Sequence, residues 1–184
     1  MNKEKIKKAV YDLLEAIGED PARPGIKETP DRVAEMYSRL LSGKIEDAAK
    51  VIQKTHELEH DAMILLKDIP FYSICEHHLL PFFGKCHIAY IPDGNRIVGI
   101  SNISMVVDIL SRQLQVQERL TTQIVNVIMK ELKPKGVGLV MEARHLCMEM
   151  RGVQKTGVTT VTSDVQGNFR TDFRTREEFL RLVR

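Results

Sequence analysis

Met63-Ile64-Leu65-Leu66-Lys67-Asp68-Ile69-Pro70-Phe71-Tyr72-Ser73-Ile74, followed by Lys85-Cys86-His87-Ile88-Ala89-Tyr90-Ile91, marks where this chain stops reading as helix and starts reading as sheet. Both runs are rich in β-branched and aromatic residues. The turn residues Pro92-Asp93-Gly94-Asn95 lead from the second into a third strand, Arg96 to Ile100. Working back from Ala62, Ile6, Val10, Leu13, Leu14 and Ile17 recur at the helical period, with Gly18 as a stop. After the Pro/Gly-rich connector Glu19 to Gly25, Thr29 reads as an N-cap with Pro30 at the first helical position. That second helix has an apolar face of Val33, Met36, Tyr37, Leu40 and Leu41 and ends near Gly43. A shorter helix covers Ile45 to Gln53. Residues 1–60 carry no cluster of chemically competent side chains and read as a helical assembly segment.

Working forward, Ser101 reads as the N-cap of a helix bearing Ile103, Val106, Val107, Leu110 and Leu114. A second helical run continues through Leu120, Ile124, Val127, Ile128 and Leu132, and Pro134-Lys135-Gly136 ends it. Strands resume at Val137 to Met148 and Val158 to Val165. Thr175-x-x-Glu178 is a capping box for a last helix with Phe179, Leu180 and Val183. Strand pairs around two long helices predict an antiparallel α+β domain over 61–184.

Composition excludes several classes. A chain of 184 residues with 43% hydrophobic and 28% charged side chains is that of an ordinary globular protein. It is long enough to bury about 70% of its unfolded surface without disulfides. No apolar run approaches the ~20 residues of a membrane span, and no secretion signal is visible at Met1 to Lys8, so the cytoplasm is the default compartment. The 27 basic and 25 acidic residues leave a net charge of +2, which gives no broad footprint for nucleic acid. Cys75, Cys86 and Cys147 are an odd number of cysteines, so metal binding or core packing outranks a disulfide.

The chemistry concentrates in two short segments. Cys75-Glu76-His77-His78 has C-x-x-H spacing just before Leu79-Leu80-Pro81, and His145-Leu146-Cys147 lies near the end of an expected strand. Residues i and i+2 of a strand share a face, so His145 and Cys147 are expected to look into one pocket. Cys75, His78 and Cys147 make a Cys₂His set, and three protein ligands leave the fourth tetrahedral position open, the pattern of a catalytic zinc. Water on such a metal has its pKa lowered towards ~7, and the remaining imidazoles, His77 and His145, are placed to carry protons. The plain alternative for each cysteine taken alone is core packing. Cys86, alternating with Ile88 and Tyr90, reads as that. What favours a site is concentration, since three of the six histidines and two of the three cysteines fall in these two segments. Gln115-Val116-Gln117-Glu118-Arg119-Leu120 is either a solvated helix face or a carboxylate and an amide that accept from a nitrogen-rich heterocycle. Arg151-Gly152-Val153-Gln154-Lys155 is either a basic surface turn or an anion contact.

Taken together, Ser73 to Phe82, Gln115 to Thr121, His145 to Met148, Met150 to Lys155 and Thr160 to Ser163 resemble the GTP cyclohydrolase I family, and Glu28 to Val33 resembles its N-terminal helical part. The resemblance implies a tunnelling fold assembled as a ring, typically a homodecamer of two stacked pentamers, with active sites between subunits. It implies zinc-dependent hydrolytic opening of the purine imidazole ring of GTP at C8. Formate leaves and 7,8-dihydroneopterin triphosphate forms, a first step of pterin and folate synthesis. On that resemblance Cys75, His78 and Cys147 are the zinc ligands and His77 and His145 the acid/base pair. Glu118 with Gln117 binds the guanine edge, Ser101 acts near the ribose, and Arg151 contacts the phosphates. One stretch departs from the family pattern: where it usually has a lysine and an arginine on the triphosphate, this chain has Asn102 and Met105. Losing two charged hydrogen bonds, each worth ~1.5–3 kcal/mol, weakens phosphate binding unless something replaces them. A substrate with fewer or no phosphates is therefore the alternative, and a non-catalytic purine- or pterin-binding ring a further one.

Overall fold

Asn2 starts the first helix by accepting a hydrogen bond from the Lys5 N–H, and Gly18, at φ +87°, lies just beyond its end. The computed structural model describes residues 1–53 and 55–184. They fall into two compact units, Met1–Ser42 and Gly43–Arg184. The first unit pairs α1 (Lys3–Ala16) with α2 (Thr29–Leu40). Glu28 occupies the N-cap position of α2, so Thr29 lies inside the helix that it was expected to cap. No residue of α1 is buried, and Leu13 and Ile17 remain exposed.

In the second unit, α3 (Ile45–Ile52) and the short β1 (Thr55–Glu57) precede the long strands β2 (Ile64–Cys75) and β3 (Pro81–Ile91). Then come β4 (Arg96–Val98), α4 (Ile100–Ser111), β5 (Leu114–Gln115) and α5 (Gln117–Leu132). The chain closes with β6 (Gly136–His145), a one-turn α6 (Leu146–Glu149), β7 (Thr160–Gly167), a one-turn α7 (Asn168–Thr171) and α8 (Phe173–Val183). The main sheet has the order β5-β2-β3-β6-β7, antiparallel except where β5 runs parallel to the end of β2. β1 and β4 form a separate ribbon. Because Ala48 and Ile52 are fully buried in the main core, α3 belongs to this unit by packing, ahead of the change in composition at Ala62.

Period-two alternation on β2, β3 and β6 directs Phe71, Cys86, Ile88 and Leu139 against Val106 and Leu110 of α4 and Ile124 and Ile128 of α5. This is the main core. On the opposite face Phe169 and Phe179 meet edge to face, centroids 5.5 Å apart, over Ala89 and Val140. Gly138 lets the strand pass beneath them, since a Cβ there would come within 2.8 Å of the Phe169 ring. No helix among the described residues is long and apolar enough to cross a membrane.

Further boundaries differ from the sequence reading, and Leu114, expected on the helix that follows Ser101, opens β5 instead. Gly99 is the N-cap of α4, so Ser101 sits in the first turn and caps nothing. Asp172 caps α8, accepting from the Arg174 N–H and the Thr175 hydroxyl, which places the expected Thr175 capping box inside the helix. β6 stops at His145, and Cys147 lies on the turn of α6, not on the strand with it.

Candidate functional site

The end of β2 and the turn after it present the first half of the site. Cys75 N–H donates to Leu80 O and Leu79 N–H to Cys75 O, both at 2.9 Å, with Leu79 in the left-handed region at φ +55°. This tight reversal brings His78 back over Cys75. The second half comes from α6. Arg144, the last residue but one of β6, holds the nearly buried Glu149 carboxylate through two bonds of 2.8 and 2.6 Å, Nε and Nη2 each donating to one oxygen. That fork ties α6 back onto the strand and turns Cys147 towards Cys75. One ligand atom each from Cys75, His78 and Cys147 then lie within 4.8 Å of one another.

These residues fit a metal. A tetrahedral zinc with Zn–S of about 2.3 Å and Zn–N of about 2.0–2.1 Å needs its ligand atoms about 3.4–3.8 Å apart, so closing the group takes a contraction of about 1 Å. Burial first, and then the neighbouring Cys75 sulfur, push the Cys147 thiol above its ordinary value. Two sulfurs and an imidazole nitrogen brought this close are a donor set suited to a soft cation, which displaces the thiol protons when it binds. Cys86 takes no part, because it lies fully buried in the main core with its pKa pushed up to about 12, chiefly by burial.

Around this group the structure gathers several further residues. His77 is exposed, with Nδ1 at 3.9 Å from Cys75 Sγ. Arg151 Nη1 lies 2.5 Å from His78 Nε2, so the basic turn of Arg151 reaches the ligand group itself. His145 stacks face to face on its cross-strand partner Phe82, ring centroids 4.8 Å apart and planes 2° from parallel. Burial lowers the pKa of His145, and the exposed carboxylate of Glu118 opposes that shift. Glu118 stands in the first turn of α5, open to solvent beside this imidazole.

Gln117 was expected on the substrate edge. Its side chain is instead 1% exposed, with the carboxamide bonded to His145, Met141 O, Thr160 O and Thr162 Oγ1. Ser101 is exposed near the start of α4, whereas Ser111 at the other end of that helix accepts from the Ser73 hydroxyl at 2.7 Å, two residues before Cys75. At 1.5 Å per residue, Ser101 stands about 15 Å along the helix from the end nearest the metal group. Asn102 and the exposed Met105 share that distant half.

Two supporting residues had no sequence signal as functional. Arg119 binds the Glu76 carboxylate and also donates to Gln115 Oε1 at 2.9 Å and Leu114 O at 2.7 Å. With Glu76 N–H donating to Gln115 O, this fastens the ligand turn to β5 and the start of α5. The Arg144–Glu149 fork does the same for α6. Glu76 follows Cys75 directly and Glu149 lies two residues after Cys147, and that closeness in sequence is the signal that could have found them.

The sequence model of the family described as GTP cyclohydrolase I matches residues 6–184. A protein named GTP cyclohydrolase 1 from Thermoanaerobacter pseudethanolicus is 55% identical over 183 residues, covering 100% of this chain and 97% of that protein. Its namesake from Clostridioides difficile is 52% identical over 186 residues, covering 100% and 97% respectively. The one from Acetivibrio thermocellus is 50% identical over 183 residues, covering 100% and 98%. With a Cys-His-Cys group drawn together beside two further imidazoles and a match that spans nearly every residue, the chain belongs to the GTP cyclohydrolase I family.

Proposed function

We propose that this chain hydrolyses GTP at C8 of the purine, consuming one water, releasing formate and forming 7,8-dihydroneopterin triphosphate for pterin and folate synthesis in the cytoplasm. The observation that carries the reading is the convergence of Cys75, His78 and Cys147 within 4.8 Å, in a chain of this family. These three would hold a zinc ion, which when bound supplies the Lewis acidity that brings the pKa of water towards ~7. Two thiolates and an imidazole favour zinc over cations that prefer carboxylates. Glu118 accepts from the N–H groups on the guanine edge and so orients C8. His77 and His145 carry the proton that the water loses and the proton that the departing ring nitrogen gains. Arg151 supplies a fixed positive charge for the phosphates.

The position of Ser101 bears on assembly. The ribose is bonded directly to the purine, and Ser101 stands about 15 Å along α4 from the helix end nearest the metal group, so a ribose contact by Ser101 fits the site of a neighbouring copy better than that of its own chain. Sheet edges support such a neighbour: β7 pairs only with β6, and β2 beyond Ile74 and Cys75 has only β3 beside it among the described residues. Two open edges on one antiparallel sheet are templates for head-to-tail pairing, which closes into a ring. Membership of the family supports a tunnelling-fold ring in which two stacked pentamers make a homodecamer. Residues 1–60 then serve assembly and 61–184 catalysis. Molar mass by light scattering tests the ring.

Zinc-loaded protein incubated with GTP should release one formate per turnover and give a pterin that fluoresces after oxidation, and a preparation yielding neither removes this reading. The absence of cations at Asn102 and Met105 favours one second reading, a purine substrate with fewer phosphates. A panel of GTP, GMP and guanosine separates the two.

A further inference from the structure

We propose that Gln117 is a positioning residue that holds His145 as the Nε2–H tautomer against the Phe82 ring, so that Nδ1 is the atom through which His145 exchanges its proton in the reaction. This rests on the reading of His145 as a proton carrier and adds which atom acts and what selects it.

The argument begins with the amide. Gln117 is 1% exposed, and one end of its carboxamide lies 3.1 Å from Met141 O and 3.0 Å from Thr160 O. Backbone carbonyls only accept, so that end is the nitrogen. The hydroxyls of the cluster agree. Thr121 Oγ1 donates to Gln117 O at 2.8 Å, leaving Thr162 Oγ1 to donate to Thr121 at 2.7 Å and to accept from Gln117 Nε2 at 3.1 Å. Two amide hydrogens thus serve three acceptors, and no room remains for a flipped amide. Gln117 Oε1 therefore faces His145 Nε2, 2.8 Å away. An amide oxygen carries no hydrogen, so the hydrogen in that contact belongs to the imidazole. In the neutral ring Nδ1 then keeps the lone pair.

Orientation is fixed as firmly as protonation. Phe82, fully buried, lies parallel to the imidazole at 4.8 Å, and the two residues pair directly across β3 and β6. Stacking fixes the ring plane and the Gln117 bond fixes the rotation within it. With its oxygen on His145 and its nitrogen on strand carbonyls, the Gln117 side chain has no group left for a purine edge. Its neighbour Glu118, exposed on the same helical turn, does.

The test uses the metal-loaded protein labelled with ¹⁵N-histidine, with the His145→Asn variant as the difference spectrum that assigns the ring. Substrate-free wild type should show His145 with a protonated Nε2 and a bare Nδ1; a protonated Nδ1 overturns the proposal. Gln117→Met, similar in shape but without the bond, should populate both tautomers and lower kcat about tenfold to a hundredfold, the effect typical of an outer hydrogen-bond partner. KM should stay within about twofold, because uniform substrate binding is untouched. Zinc content should not change. Gln117→Glu should restore most of kcat, since a carboxyl buried among carbonyls stays protonated, donates to one of them and turns its C=O to His145. A raised KM with kcat intact in Gln117→Met would instead make Gln117 a substrate contact and overturn the assignment. If Gln117→Met does not fold, the wild-type spectrum decides alone. Absence of formate from wild type would defeat the functional reading, whereas the tautomer is read without substrate.

Discussion

Cys86→Ser and Cys147→Ser should produce opposite signatures, one in stability and one in metal. Cys86 is 0% exposed, paired across the sheet with Ile69 on β2 and Met141 on β6. Burial and, secondarily, the Asp108 carboxylate push its pKa up to about 12, so the thiol stays protonated at neutral pH. A ligand thiolate is out of reach. Serine there buries a hydroxyl in an apolar core, and an unsatisfied buried hydroxyl costs about 1–3 kcal/mol. At roughly 2–4 °C per kcal/mol for a chain of this length, the metal-free Tm should drop by about 2–12 °C. Zinc per chain should be unchanged. Cys147 is only partly buried, so its serine variant should shift the metal-free Tm by about 2 °C or less, as for substitutions near the surface. Bound zinc should nevertheless fall towards zero. Zinc is counted after gel filtration and Tm is taken by calorimetry in chelator. Equal zinc loss from both variants, or full zinc retention by Cys147→Ser, would refute the ligand assignment.

Arg119→Ala releases the ligand turn from β5 and α5, and should weaken zinc affinity about 10- to 100-fold in competition with a chromophoric chelator; unchanged affinity would show that the turn holds itself. His87 is 1% exposed, accepts from the Asp68 N–H at 3.2 Å and leaves Nε2 without a partner. Burial lowers its pKa, with Lys85 and Lys67 acting in the same direction and Asp68 and Glu142 opposing. Because the unfolded chain takes up a proton near pH ~6.5 that the folded His87 refuses, this contribution is complete above that pH and is lost as pH falls below it. Metal-free wild type should therefore lose stability more steeply below pH ~6.5 than His87→Gln does in urea titrations, and parallel slopes would contradict the assignment. Asn102→Lys combined with Met105→Arg should lower KM for GTP, by less at high salt where exposed charges are screened. A gain that ignores salt would mean that the new side chains act by packing.

Local pattern and long-range placement were not equally legible. Helices and strands of this chain announce themselves because their apolar residues repeat at 3.6 or 2, and a stop such as Gly18, now seen at φ +87°, acts within one turn. Cys75-x-x-His78 was equally plain, since a tight turn brings residues three apart together. The path of Cys147 was not. Alternation predicted that the strand runs through it, but Leu146-Cys147-Met148-Glu149 suits a helical turn as well as a strand. What decides between them is Arg144 reaching forward five residues to Glu149, a contact that periodicity does not encode. Polarity misled in a second way. Gln115 and Gln117 read either as a solvated helix face or as part of a heterocycle contact, both open to solvent, yet they are 0% and 1% exposed, because backbone carbonyls of α4, β6 and β7 satisfy their carboxamides. A buried amide with every bond made costs little and fixes its neighbours. Once Gln115 is fixed it anchors Arg119, Arg119 holds Glu76, and Glu76 lies between Cys75 and His77, while Gln117 fixes His145 on the other side. The Cys-His-Cys group and the imidazoles beside it therefore stood out in the sequence by their chemistry, whereas the amides that hold their surroundings became recognisable only when the strands supplying their acceptors were in place.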